Sequence, residues 1–257
     1  MRKISSRRVL LAVFLVTAFV ATAAAAEPLD RAAEVARHRQ ALDDAKVTAR
    51  IDNLKILSRS GIADEALFDE IERRLLERYT SRNEEPLELD ETAWLAEALG
   101  LSGLEKYRAT LNKVAAGAPL EKVGKHAREA AADLEIAAKR NAAIARRYPE
   151  AQGLALEHEL LYNRLRSDDR KLRKDAAKMI CRSSPQAPLL YETMAERLRA
   201  GYASERDEQA VDELAWYCKA LAVSGLPEHR DLVKKVAKGA GEEKLQEVAQ
   251  EIVEQKR

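Results

Sequence analysis

The chain has little of what β-structure, disulfide scaffolds, nucleic-acid binders and metalloenzymes require. Cysteine occurs twice in 257 residues, at Cys181 and Cys218, too few for a disulfide framework. Glycine numbers 10 and proline 7, low for a protein of many strands, which needs turn residues at short intervals. Aromatic residues make up 5% of the chain. Four histidines, His38, His126, His158 and His229, are scattered along it, with no pair at metal-ligand spacing on a helix. No GxSxG, HExxH, P-loop or dinucleotide fingerprint is present. These absences set the expectation of no metal, no cofactor and no catalytic residue, and of a protein that is not an enzyme.

Long apolar runs are missing too, except at the start. Arg2, Lys3, Arg7 and Arg8 precede the uncharged stretch 9–20 and the alanine-rich stretch 21–26. A basic start, a short apolar core and small residues at Ala24 and Ala26 predict a cleaved signal peptide over residues 1–26. The rival reading, an uncleaved anchor, needs roughly 20 apolar residues, more than the core offers. The expected location is therefore periplasmic or secreted, with no stable membrane span after cleavage. Lys+Arg number 44 and Asp+Glu 43 in the whole chain. Without the four basic residues of the leader the balance is 40 against 43, about −3, which argues against nucleic acid as a partner.

What the chain does have is itself, twice. Residues 89–104 read LDETAWLAEALGLSGL and residues 211–226 read VDELAWYCKALAVSGL. The shared offset of 122 continues through Arg108 and Arg230, Lys113 and Lys235, and Gly117 and Gly239. Upstream, at an offset of 123, Leu67, Ile71, Leu75 and Tyr79 fall on Leu190, Met194, Leu198 and Tyr202, and Arg50 falls on Arg173. Two modules follow, 27–149 and 150–257. Apolar residues at every fourth position mark helix faces. The pattern predicts helices near 28–43, 47–59, 65–81, 89–100, 104–116 and 120–147, repeated near 152–166, 169–182, 188–203, 209–222, 227–238 and 242–256. Asp90 and Asp212 are read as helix-start residues. Ser102-Gly103 and Ser224-Gly225 are read as stops. The polar end of the 120–147 helix reads as a rigid spacer or a partly exposed strut between the modules.

The segment from Ser167 to Ile180, SDDRKLRKDAAKMI, with a short polar turn, an apolar residue, a basic residue and paired alanines, resembles the inner helix of a HEAT repeat. Val123, Ala127 and Ala130, and Leu245, Ala249 and Ile252, follow the same spacing. The resemblance implies an all-α, HEAT-like α-solenoid of about six antiparallel hairpins, arranged as two copies of a three-hairpin module. It also implies a concave binding face and no shared chemistry. The long connections at 82–88 and 205–210 and the missing outer-helix prolines depart from that pattern.

Trp94 and Trp216, Leu99 and Leu221, and Tyr79 and Tyr202 occupy equivalent positions and are read as structural core. Cys181 and Cys218 lie on neighbouring helices of the second module, where a disulfide and two buried thiols are both open readings. The basic run from Arg164 to Lys174 is read as a solvated helix edge in preference to a patch for an acidic partner. The expected function is a protein–protein interaction scaffold or adaptor in the bacterial cell envelope, bound to a protein or peptide partner. The alternatives are a ligand or peptide sensor using the concave groove, and a peptidoglycan-active enzyme on a helical superhelix.

Overall fold

A computed structural model describes residues 30–255; the leader expected over residues 1–26 lies outside the described residues. Twelve α-helices fill the described chain, and no strand occurs among the described residues. The first copy holds α1 (Ala32–Ala41), α2 (Val47–Ser60), α3 (Glu65–Arg78), α4 (Pro86–Leu101), α5 (Arg108–Gly117) and α6 (Glu121–Ala145). The second holds α7 (Leu156–Arg166), α8 (Arg170–Ser183), α9 (Pro188–Gly201), α10 (Glu208–Val223), α11 (Pro227–Gly239) and α12 (Glu243–Gln255).

Each odd-numbered helix packs on the even-numbered helix that follows it, making six hairpins. Within the first copy α4 lies between α2 and α6, and within the second α10 lies between α8 and α12. The odd-numbered helices form the other layer of each copy. This is an all-α solenoid of stacked helix pairs, in which each hairpin buries an apolar face that it cannot bury alone. Leu67, Ile71 and Leu75 on α3 are completely buried, and so are Leu190, Met194 and Leu198 on α9. Each copy has its own core. A small third cluster of Ile144, Leu160 and Leu172 joins α6, α7 and α8 at the seam.

The chain ends of the helices differ from expectation in ways that have local causes. Asp90 and Asp212 are not caps. α4 starts earlier, with Pro86 in its first turn and the Glu85 carboxylate accepting from the N–H groups of Leu87 and Glu88. α10 starts at Glu208, capped by Asp207, which accepts from Ala210 N–H. Proline suits the first turn because its missing N–H would be unpaired there. The Ser-Gly stops do behave as read. Ser102 Oγ donates to Leu99 O and accepts from Leu104 N–H while Gly103 takes φ +70°. Ser224 and Gly225 repeat this with φ +75°. Ser60 and Gly61 form a third instance that ends α2, with φ +78°. At the matching turn after α8 the left-handed position is held by Ser184, φ 46°.

Arg164 fastens the seam by donating to Arg59 O at 2.5 Å, beside Arg31 of the first copy, which donates to Ser60 O at 3.0 Å, so both reach the negative end of α2. Asn163 Nδ2 donates to Ile144 O at 2.8 Å. Arg140 meets Asp169 at 2.7 Å. Burial, with Arg31 nearby, pulls the Arg164 guanidinium down to about 10.

Candidate functional site

The duplicated polar residues come first, because identical residues in two copies could mark two sites. Arg50 on α2 grips Glu91 on α4 through both guanidinium edges, at 2.6 and 2.8 Å. Arg173 on α8 grips Glu213 on α10 at the same two distances. Both carboxylates are buried. Arg78 adds a contact to Glu91 at 2.6 Å, whereas the Tyr217 hydroxyl donates to Glu213. These pairs tie neighbouring hairpins together. The neighbouring arginines hold the Glu91 carboxyl below its ordinary range against the opposing effect of burial, which is the largest single influence on it. With both oxygens of each carboxylate engaged, neither is placed to accept a proton from a substrate.

Leu99 and Leu221 lie in the two cores. Trp94, Trp216, Tyr79 and Tyr202 do not: they are half-buried and rest against the edges of those cores. The ammonium of Lys55 stands 5.6 Å from the Trp94 ring, and that of Lys178 stands 5.2 Å from the Trp216 ring. The Tyr79 ring lies beside Gly117, as Tyr202 lies beside Gly239. The tryptophans are thus lids on the core edge, each covered by a lysine stem.

Cys181 and Cys218 are free thiols. Cys218 is buried within α10, and burial pushes its thiol up to about 12. Cys181 is partly buried against the same core and lies near Tyr191 of α9. Most of the basic run is engaged within the chain: Arg170 with Asp207, Arg173 with Glu213, Lys174 with Asp212, and Arg164 on the end of α2. His38 pairs with Asn53, His126 with Glu97 and His229 with Ser224. No group of His, Cys, Asp and Glu that could hold a metal occurs among the described residues. No helix among them is long and apolar enough to cross a membrane.

The feature that sets the two copies apart is a groove. A cavity of about 500 Å³ opens where α10, α11 and α12 meet. Leu221, Gly225 and Val233 form its apolar floor, Ile252 and Val253 one wall, and Arg230, Lys234 and Lys238 its basic rim. Leu226 at its mouth, and Val223 at the end of α10, are large apolar side chains left exposed. In the first copy the corresponding residues close on one another: a Cβ on Gly100 would meet Ala130 Cβ at 2.5 Å, and Arg128 Nη1 donates to Ala115 O at 3.3 Å. At the offset of 122, Gln255, the last described residue, is level with Asp133 of the 25-residue α6.

Residues 134–145 of α6 run on from there along the end of α4. Leu134, Ala137 and Asn141 are buried there. Asn141 Nδ2 donates to the carbonyls of Leu101 and Ser102 at 2.9 and 2.8 Å, satisfying the end of α4. Arg108 donates to Ala131 O at 2.7 Å. A Cβ on Gly103 would lie 2.4 Å from the backbone nitrogen of Ala138, whereas a Cβ on Gly225 would meet nothing within 4 Å. The end of the 120–147 helix is partly exposed, as at Ile136, and partly packed, with Leu134, Ala137 and Asn141 buried and Ile144 at the seam with α7 and α8. What the sequence could not supply was the path of residues 134–145 along the end of α4.

Comparison with known proteins adds little. No family model matches the chain, and no curated protein matches it. Among solved structures, human deoxyhypusine hydroxylase in complex with glycerol is similar over 86% of this chain and 84% of that chain, with 15% identity and a TM-score of 0.33.

Proposed function

We propose that the chain is an exported, HEAT-like interaction scaffold of the bacterial cell envelope, and that the open groove between α10, α11 and α12 is where a protein partner docks. One observation carries this reading: between α10, α11 and α12 an apolar lining with a cationic rim stands open where the matching helices of the first copy close on one another. Leu226 is exposed beside an apolar lining, and such surfaces mark binding sites. The residues lining the groove include three cations and one amide but no carboxylate, histidine or hydroxyl nucleophile, which favours binding over turnover. A small-molecule sensor is the second reading, favoured by a volume inside the range of roughly 300–1,000 Å³ typical of ligand pockets.

The test is site-specific photo-crosslinking in cells of the source. A benzophenone side chain replaces Leu226 at the groove mouth, or Met179, which is exposed on α8, as the control. A discrete protein adduct from position 226 and none from 179 supports the scaffold. Equal labelling from both positions, or none from either, overturns it. A leader still attached to the protein recovered from the envelope would overturn cleavage in favour of an anchor, and recovery of the protein from the cytoplasm alone would overturn the export reading.

A further inference from the structure

The residue changes that line the groove also release a cation. In the first copy Arg108 is engaged within the chain. Its Nε and Nη2 donate to the two carboxylate oxygens of Glu105, and its Nη1 donates to Ala131 O at 2.7 Å. The second copy keeps the arginine, as Arg230, but Pro227 stands where Glu105 stands and Val253 where Ala131 stands. Arg230 is exposed and has no ion-pair partner among the described residues. Lys234 and Lys238 follow it at i+4 and i+8 on α11, so the three cations stand in one row along the groove. Asn112 and Ala116 hold the lysine positions in the first copy. Lys238 is likewise without an ion-pair partner among the described residues, whereas Lys234 is met at 2.9 Å by Asp231, an exposed carboxylate outside the groove lining.

Beneath the row of cations the lining is apolar. Val233 and Ala237 of α11 face Ile252 and Val253 of α12 over Leu221 of α10. The groove follows α11 from Leu226 to Lys238, roughly 18 Å at the helical rise of 1.5 Å per residue. Spread over that length, a volume of about 500 Å³ is one alkyl chain wide, too narrow for the paired tails of a membrane lipid. We infer that the groove binds a free fatty acid, its carboxylate on Arg230 at the mouth and its alkyl chain along Val233, Ala237, Ile252 and Val253. This deepens the small-molecule reading of the groove and rests on it.

Each part of the ligand answers a part of the groove. The carboxylate follows from the guanidinium, which in the first copy takes one through two of its nitrogens, the bidentate geometry that suits arginine. Lys234, one turn on, adds a second positive charge beside it. The chain follows from the wall, where Ile252 and Val253 replace Ala130 and Ala131 and enlarge the apolar surface that a hydrocarbon can cover. The stem of Lys238 lies against that surface while its ammonium stays in water. No carboxylate lines the groove to repel the head group.

The probe is dodecanoate, titrated into the purified protein by isothermal titration calorimetry at concentrations below those at which it forms micelles. One site is expected, with half-saturation between about 1 and 100 µM. Decanoate should bind about 3–15-fold more weakly, because two fewer methylenes leave water. Arg230→Gln should weaken binding about tenfold without moving the urea unfolding transition, since the side chain is exposed. Lys235→Gln, exposed on the same helix but outside the groove, should change nothing.

An affinity that Arg230→Gln leaves intact overturns the proposal, and so does uptake of many dodecanoates per chain with no single saturable site. The uncharged ester 1-dodecanoylglycerol separates this proposal from the reading it rests on. If the ester binds as tightly as the acid, the carboxylate site falls and a small-molecule groove remains. If neither saturates by about 1 mM, both fall. Crosslinking from position 226 tests the protein partner independently.

Discussion

Replacing Gly103 and Gly225 by alanine, one at a time, should destabilise the protein unequally, and the difference measures whether a helix occupies the groove. Both glycines have positive φ, +70° and +75°, so alanine costs about 1 kcal/mol of backbone strain at either site. At Gly225 the cost ends there, because the new methyl has nothing within 4 Å. At Gly103 the methyl would lie 2.4 Å from Ala138 N and 2.5 Å from Ala138 Cα. These are backbone atoms in the middle of a helix, so α6 must shift bodily, an overpacking cost of about 1–3 kcal/mol. The expected losses are about 1 kcal/mol for Gly225→Ala and about 2–4 kcal/mol for Gly103→Ala. Each copy carries one tryptophan, so urea unfolding followed by fluorescence in Trp94→Phe and Trp216→Phe backgrounds reports the copies separately. That separation matters because repeat arrays need not unfold as one unit. Equal losses at the two positions would refute the reasoning, since the contrast between filled and open grooves would then have no energetic content.

Ser184→Gly should raise the melting temperature by roughly 1–4 °C, corresponding to about 0.5–1 kcal/mol, because Ser184 holds a left-handed turn that Gly61 holds at the matching place; a fall would show that the serine side chain contributes more than its backbone strain costs. Glu91→Gln should cost about 3 kcal/mol, because it breaks a buried bidentate pair and leaves the Arg50 charge behind, as read from urea midpoints. The acid response follows from the same pair. Since the Glu91 pKa is lowered on folding, its contribution is present above the ordinary carboxylate value and is lost as pH falls through the folded one; melting temperatures measured below about pH 4.5 should therefore fall more steeply in the wild type than in Glu91→Gln, and parallel curves would sink the assignment. Native protein without reductant should react with a thiol reagent at Cys181 first and at Cys218 only on unfolding, giving two thiols per denatured chain; a count of none would establish the disulfide instead.

Helix identity was legible wherever the period was strong. The stripe Leu67, Ile71, Leu75 and its repeat gave α3 and α9 their buried faces, and the Ser-Gly stops placed the ends of α4 and α10 correctly. Helix starts were less legible. Asp90 has the chemistry of a cap, but Pro86 begins the helix one turn earlier and Glu85 supplies the oxygen. Gly153, at φ +90°, and a short 3-10 turn at Pro149–Ala151 delay α7 to Leu156. The ion pairs were present as matched residues, Arg50 with Arg173 and Glu91 with Glu213, but only the stacking of α2 on α4 and of α8 on α10 says that they meet. Trp94 and Trp216 were placed in the core because they recur; recurrence marks a shared environment, and here that environment is a core edge under a lysine.

Gly225 by itself does not argue for a partner, because a left-handed turn asks for glycine whether or not anything approaches it. The argument lies in the residues around it that have changed between copies. Where α4 and α6 cross in the first copy, a Cβ on Gly100 would meet Ala130 Cβ at 2.5 Å, so glycine and alanine hold those helices in contact. The second copy has Ala222 and Ile252 at these positions, and a wider pair at a crossing separates the helices. The same substitution that loosens α12 against α10 supplies the apolar wall of the groove, in Ile252 and Val253. Had the groove been an accidental gap, polar residues would serve there as well, since solvent would fill it. The lining instead gains a branched aliphatic residue where the closed copy has alanine, and two lysines on the rim where the closed copy has asparagine and alanine. Apolar floor and cationic rim changed together, as a surface kept for binding would and a gap filled by solvent would not.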